Sequence, residues 1–335
     1  MAQLVGAFGS SHGPMLSTPP DMWGLRRDAD VKNPRHFFRG KTYAYPDLLA
    51  QRAPGFAAEV TPVMQRERHG KCQAALGELA RRFEAAKADL VVIVGNDQKE
   101  LFLDDVTPAM TVFFGETIEN IPATPEERAK MGPGIAIAEE GHCPPGGATY
   151  PGAPEFGRHL VEELTGRGFD VAQSSRLPDG PGRHAGMPHA FGFLYRQVMR
   201  DAPPPSIPLI MNVGVAPNNP RIGRCLDLGR ALRDSIRAWP GDSRVVLMAS
   251  GGFSHFVIDE DLDRRVLDAM QKGDEAAIRA EPETSFLGNT AEIKNWLPVA
   301  SAMQAEGRRM ELVDYVPCYR SEAGTGNAMV FAHWA

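Results

Sequence analysis

Leu90-Val91-Val92-Ile93-Val94 is an unbroken apolar run that stops at Gly95-Asn96-Asp97-Gln98. A run this short, closed by glycine and turn-forming polar residues, reads as a strand buried on both faces, as in a parallel sheet. The pattern occurs twice more. Leu4-Val5-Gly6-Ala7-Phe8-Gly9-Ser10 stops at Ser11-His12-Gly13, and Arg244-Val245-Val246-Leu247-Met248-Ala249-Ser250 runs into Gly251-Gly252-Phe253-Ser254-His255. In an open α/β sheet the ligand crevice lies beyond the carboxyl ends of the strands. Three strands that each deliver a histidine or an amide–acid pair to that edge point to an enzyme site with a metal.

Around these runs, strand signals recur near 3–9, 90–94, 109–114, 169–173, 207–213 and 244–250. Helical patterns fill the intervals, near 154–165, 188–200, 221–238, 259–271 and 290–304. The clearest runs from about Glu59 to Ala88, with Val63, Met64, Cys72, Ala75, Leu76, Leu79, Phe83 and Ala86 on one stripe. Alternation of this kind predicts an α/β fold: a single large domain over 1–335, with a central, largely parallel mixed sheet flanked by helices and with cap-like insertions. Residues 14–57, rich in Pro, Arg and aromatics, are expected to form a cap over the strand ends. Residues 115–153 hold Gly132-Pro133-Gly134, Pro144-Pro145-Gly146-Gly147 and Pro151-Gly152, and read as a long ordered loop.

Bulk properties exclude several function classes. The 335 residues are 43% hydrophobic and 23% charged, ordinary for a globular protein. A net charge of -6 argues against a nucleic-acid footprint. No eighteen-residue apolar run suggests a membrane span. The opening residues lack the basic and long apolar regions of a signal peptide, so a cytoplasmic location is expected. Cys72, Cys143, Cys225 and Cys318 are scattered, which suggests neither a zinc site nor a disulfide framework.

His12 and His255 each follow a buried strand, and the two glycines before His255 let the backbone approach a ligand closely. After the second strand, Gln98 and Glu100 share one face if the chain stays extended, and both offer oxygen to a hard cation. Turn chemistry is the competing reading of Asn96 and Asp97. His189 follows Pro188, which fits the first position of a helix. There the helix dipole disfavours an imidazolium, so a neutral ring is expected. His184 reads as a solvated loop residue, and Glu260, Asp261 and Asp263 as the acidic first turn of a helix. Spacing alone assigns Glu292 to dipole compensation in a first turn behind Asn289 or Thr290.

In their order, Ser11-His12, Asn96-Asp97-Gln98, Pro188-His189, Gly251-Gly252-Phe253-Ser254-His255 and Gly288-Asn289-Thr290-Ala291-Glu292-Ile293-Lys294-Asn295-Trp296 resemble the catalytic subunit of the LigB-type (class III) extradiol ring-cleaving dioxygenases. Gly13-Pro14-Met15-Leu16-Ser17-Thr18-Pro19-Pro20 and Arg39-Gly40-Lys41-Thr42-Tyr43 look most like the single-chain, methylgallate-type branch within the protocatechuate and gallate group. The resemblance implies a non-haem Fe(II) cofactor held by His12 and Glu292, with His189 and His255 as catalytic second-sphere histidines. It also implies a small catecholic, carboxylated substrate and O2, with Arg26, Arg27, Arg39 and Lys41 as candidate carboxylate partners. A homo-oligomer, such as a dimer, is expected on the same ground. The chain departs from the family at Gln98, where the second iron-binding histidine belongs. Gln98, Glu100 or Asp97 is left to complete the metal set. The departure also keeps open a degenerate binding protein or a metal-dependent hydrolase on the same scaffold.

Overall fold

A computed structural model of the chain describes residues 1–335. Nine strands form its main sheet: β1 (Gln3–Ser10), β2 (Leu90–Asn96), β3 (Met110–Phe113), β4 (Ala172–Ser174), β5 (Ser206–Met211), β6 (Arg244–Ser250), β7 (His255–Val257), β8 (Met310–Tyr319) and β9 (Thr325–Trp334). Across the sheet they lie in the order β7-β9-β1-β6-β2-β5-β3-β4, with β8 along the other side of β9. The middle four, β1, β6, β2 and β5, are parallel. β9 and β3 are antiparallel to their inner neighbours β1 and β5. The fold is mixed α/β, as the alternation of strands and helices predicts.

Side chains alternate across a strand, and the central strands use both faces. Val92, Val94, Leu247 and Ala249 pack into one apolar core with the helices Ile222–Ala238 and Trp296–Ala305. Val91, Ile93, Val246 and Met248 pack into a second, against the helix Pro62–Ala86. Each fully buried aliphatic side chain contributes about 1.5–3 kcal/mol relative to exposure, so the middle of the sheet is its most stable part. The Pro62–Ala86 helix starts where Thr61 Oγ1 accepts from the backbone of Met64 (3.3 Å) and ends at Lys87, which has φ 50°. Cys72, Ala75, Leu76, Leu79 and Phe83 of the expected stripe are buried, whereas Val63 is 66% exposed at the open end of the helix.

Three features differ from the sequence expectations. The strand expected at 169–173 lies at Ala172–Ser174. The hairpin of β8 and β9 gives no clear strand signal in the sequence, because Glu311, Asp314, Asn327 and His333 interrupt its apolar pattern. Residues 115–153 hold a two-stranded hairpin (Thr117–Asn120 with Ala148–Pro151) and short helices at Pro125–Lys130 and Ile135–Ala138, rather than plain loop. Residues 14–57 hold helices at Gly24–Lys32 and Tyr45–Gln51 and a small hairpin. No helix is long and apolar enough to cross a membrane.

One buried ion pair ties residues 14–57 to the sheet. Arg320, just past β8, donates from Nε and Nη2 to the two oxygens of Asp30 (2.6 and 3.0 Å), and Thr325 Oγ1 donates to the same carboxylate (2.5 Å). Both charged residues are at most 5% exposed. Removing one member of such a pair leaves an uncompensated buried charge. We therefore expect Asp30→Ala to lower unfolding free energy by about 3–5 kcal/mol, read as a fall in urea midpoint. A midpoint unchanged from the parent protein would show that the pair carries no stability.

Candidate active site

The site gathers beyond the carboxyl ends of β1, β2 and β6. His12 lies two residues past β1 and is 5% exposed. Ser250, the last residue of β6, gives its hydroxyl hydrogen to the carbonyl of Ala190 (2.5 Å). Its oxygen therefore accepts from Nδ1–H of His12 (2.9 Å). That bond fixes the tautomer and leaves Nε2 with a bare lone pair. Nε2 has no hydrogen-bond partner and lies 3.4 Å from Oε2 of Glu292. Burial lowers the proton affinity of His12 and outweighs the attraction of Glu292, so the ring is held neutral.

Glu292, 3% exposed, lies on a 3-10 stretch (Gly288–Asn295) that leads into the Trp296–Ala305 helix. Its Oε2 accepts from the backbone N–H of Gly252 (2.7 Å). Its Oε1 meets the side-chain amides of Gln98 and Asn96, and Nε2 of His255 at 3.6 Å. Burial alone would raise its pKa; His12 and His255 outweigh that and hold it well below the usual carboxylate range. Spacing assigned Glu292 to dipole compensation, and the structure instead turns it inward, as the family resemblance implies. Asn295 and Trp296 fix its helix by donating to the carbonyls of Ser250 (2.8 Å) and Gly251 (2.9 Å). The approach is so close that a Cβ on Gly251 would fall 2.5 Å from the Glu292 carbonyl oxygen.

The three oxygen donors after β2 have separate fates. Asp97 accepts from the backbone N–H groups of Glu100, Leu101 and Phe102 (2.8–3.0 Å), which is turn chemistry. Glu100 accepts from Nδ1 of His189 at 2.6 Å and from its backbone N–H at 3.1 Å. Gln98 alone faces Glu292. The Glu100 contact overturns the expectation of a neutral His189. Burial lowers its proton affinity, but the carboxylate dominates and raises its pKa to about 9, while that of Glu100 falls to about 2 against the burial that would raise it. A helix dipole is worth about 0.3–1 kcal/mol and here comes from a five-residue helix, so the adjacent carboxylate wins. His255 gives Nδ1–H to the carbonyl of Phe253 (2.6 Å) and turns Nε2 toward Glu292. Burial opposes its protonation, and Glu292 raises its pKa overall.

These groups face a cavity of about 420 Å³, within the range of small-molecule sites. His12, Gln98, His189, His255 and Glu292 all line it. Met131, Ile135 and Ala138 of the 115–153 segment form an apolar roof, and Phe193 and Phe256 add aromatic wall. Residues 14–57 contribute only Pro14 and Ser17, so the roof comes mainly from the later insertion. His184, expected to be solvated, lines the cavity too. His142 was not singled out by sequence, since no strand precedes it; its ring lies 5.7 Å from that of His189. Arg26 sits outside the cavity lining, donating to the Pro133 carbonyl (3.3 Å) with its guanidinium 5.9 Å from the Phe256 ring. Arg39 does not reach this cavity: its guanidinium is held by Asp259 (2.6 Å) and Asp261 (2.8 Å) beside a separate one.

No three His, Cys, Asp or Glu side chains here meet in a geometry that holds a metal by themselves. The unpartnered Nε2 of His12 and the carboxylate of Glu292 nevertheless face each other as two donors would around one cation. Gln98 supplies the third donor if its amide turns over, which exchanges nitrogen for oxygen at little steric cost. The set fits a divalent cation with one imidazole, one carboxylate and one amide oxygen.

A family model described as the catalytic LigB subunit of aromatic ring-opening dioxygenase matches residues 53–324, most of the chain. A gallate dioxygenase of Pseudomonas putida is 28% identical over 194 residues, so the chain spans about half the length of that curated relative, 54%. A crystal structure of an uncharacterized Escherichia coli K12 protein aligns at 16% identity and a TM-score of 0.43, covering 78% of this chain and 92% of that one.

The Glu100–His189 pair sets a pH window. His189 holds its proton above its ordinary 6.5, so its contribution to stability is whole below that value and is lost as pH rises through about 9. The contribution of Glu100 is present above 4.5 and is lost as pH falls through about 2. In an NMR titration His189 is expected to titrate near 9, and at clearly lower pH in Glu100→Gln, since the largest opposition to burial is then removed and only Glu292 and Asp97 remain. Titration of His189 near 6.5 in the parent protein would exclude the ion pair.

Proposed function

This chain belongs to the LigB family, and on that premise we propose that it is an Fe(II)-dependent extradiol dioxygenase, opening the ring of a small catecholic aromatic with O2. The observation that carries the reading is the orphaned Nε2 of His12, locked in the metal-binding tautomer and aimed at the Glu292 carboxylate. His12, Glu292 and Gln98 would hold the Fe(II), which when bound supplies Lewis acidity and a path for electrons from the electron-rich ring to O2.

The chain's own residues account for the rest. His255, with Nδ1 committed to the Phe253 carbonyl, presents Nε2 to take a proton from a diol hydroxyl and later return it. Its raised proton affinity suits a base. His189, kept cationic by Glu100, donates to an oxygen that gains negative charge during the reaction. Met131, Ile135, Ala138, Phe193 and Phe256 cover the ring and keep water out. Cleavage beside the diol then yields a ring-opened semialdehyde acid. Gln98 favours a second reading, a metal-free binding protein, because its amide already satisfies Glu292.

Oxygen uptake after anaerobic Fe(II) loading tests the proposal against catechol, protocatechuate, gallate and 3-O-methylgallate. Iron-dependent uptake with loss of aromatic absorbance is expected for at least one. Bound iron without uptake on any diol would sink the dioxygenase reading, and refusal of iron would favour the second. His255→Ala is expected to lower turnover by about 10²–10⁴-fold while bound iron is retained. Equal loss of iron and turnover would remove His255 from the role of base.

A further inference from the structure

Asn327 lies on β9 directly across from His255 of β7 in the antiparallel register. Opposed residues of such a pair project to the same face, with Cβ atoms about 4.5–5.5 Å apart. Both side chains line the candidate active-site cavity, and Asn327 is otherwise 1% exposed. An amide can be turned either way, but here its neighbour decides. Arg320 Nη1 donates to Oδ1 of Asn327 (2.8 Å), and a guanidinium has only donors to offer. Arg320 cannot swing away. Asp30 holds it by two bonds, and its guanidinium lies 5.1 Å from the Phe256 ring centre. The NH2 end of Asn327 is thus forced away from Arg320. It lies 3.2 Å from where a Cβ on Gly13 would be, beside the His12 turn, and donates to no group of the chain.

From this arrangement we infer that Asn327 is a substrate-binding residue, whose NH2 donates to the diol oxygen that His255 deprotonates. The inference rests on the reading of the cavity as an aromatic-diol site. The diol O–H bond breaks, its proton moves to His255 Nε2, and the electron pair stays on an oxygen that meets the Asn327 N–H. Unlike an imidazole, the amide has no proton to lose near neutrality, so it remains a donor while His255 changes state. The site is therefore built for the ionised form of the diol, with one residue to take the proton and its cross-strand neighbour to hold the anion.

Anaerobic binding of 4-nitrocatechol, a diol whose absorbance reports its ionisation, tests this in the parent protein, Asn327→Asp and Asn327→Ala, each with and without Fe(II). Asn327→Asp keeps shape and its place beside Arg320 but turns an acceptor toward the ligand. Hydrogen bonds to charged groups are worth about 1.5–3 kcal/mol, roughly 10- to 150-fold in affinity. We expect Asn327→Asp to weaken binding at least about 30-fold and Asn327→Ala about 10-fold. Absorbance of the bound diol should show the ionised form at a lower pH than for the free diol in the parent, and Asn327→Asp should lose that difference. A purely structural role would lower melting temperature without altering the bound-diol spectrum. Parent-like affinity and bound-diol spectrum in either folded variant would overturn the assignment, as would failure of the parent to bind the diol. Tight, Asn327-dependent binding without oxygen uptake would instead overturn the dioxygenase reading alone.

Discussion

The carboxylate of Glu292 is buried between two imidazoles, with a backbone N–H on one oxygen and two side-chain amides on the other. An unpaired charge in such a place costs several kcal/mol, and the means of compensating it dictate how the neighbouring loops run. Gly252 must bring its N–H to Oε2, which requires two residues without side chains after β6. Asn96 and Gln98 must leave β2 toward the same point. Asn295 and Trp296 must cap the carbonyls of Ser250 and Gly251 so that the helix carrying Glu292 stays in register. The parallel sheet makes this convergence possible, since β1, β6 and β2 end side by side.

A second buried pair, Asp30 with Arg320, does for the cap what Glu292 does for the loops. It joins the helix Gly24–Lys32 to the turn between β8 and β9, and through Phe256 and Asn327 it touches the cavity wall. The cap thus acts on the site from behind, by orienting wall residues, rather than by lining it.

Much of this was legible in the chain. Apolar runs closed by Gly located the central strands, and the placing of His12, Gln98 and His255 at their carboxyl ends located the site. The role of Glu292 was not legible from spacing, because first-turn acids look alike whether they face solvent or an interior. The charge of His189 was also hidden, since it depends on Glu100, a contact across 89 positions that no local pattern reveals. Asn327 and the strands β8 and β9 escaped because Glu311, Asp314, Asn327 and His333, of which only Asn327 lines the cavity, break the periodicity by which buried strands are recognised. Arg39 had the composition of an anion-binding residue, but acids at Asp259 and Asp261, distant in sequence, claim it.

The roof over the cavity is fastened mainly to itself and to neighbouring loops, with Arg26 and Thr18 of the cap holding its Pro133 and Gly134 carbonyls. Thr124 and Glu127 cap one of its helices reciprocally, Glu139 binds Arg128 and the Ala123 N–H, and Gln197 holds the Gly141 carbonyl (2.8 Å). None of these bonds runs to His12, Gln98, Glu292 or His255. The wall that shapes the cavity and the polar end that gathers around Glu292 are therefore carried by different segments. Substitutions in residues 123–138 can recut the outline of the cavity while leaving every hydrogen bond to Glu292 in place.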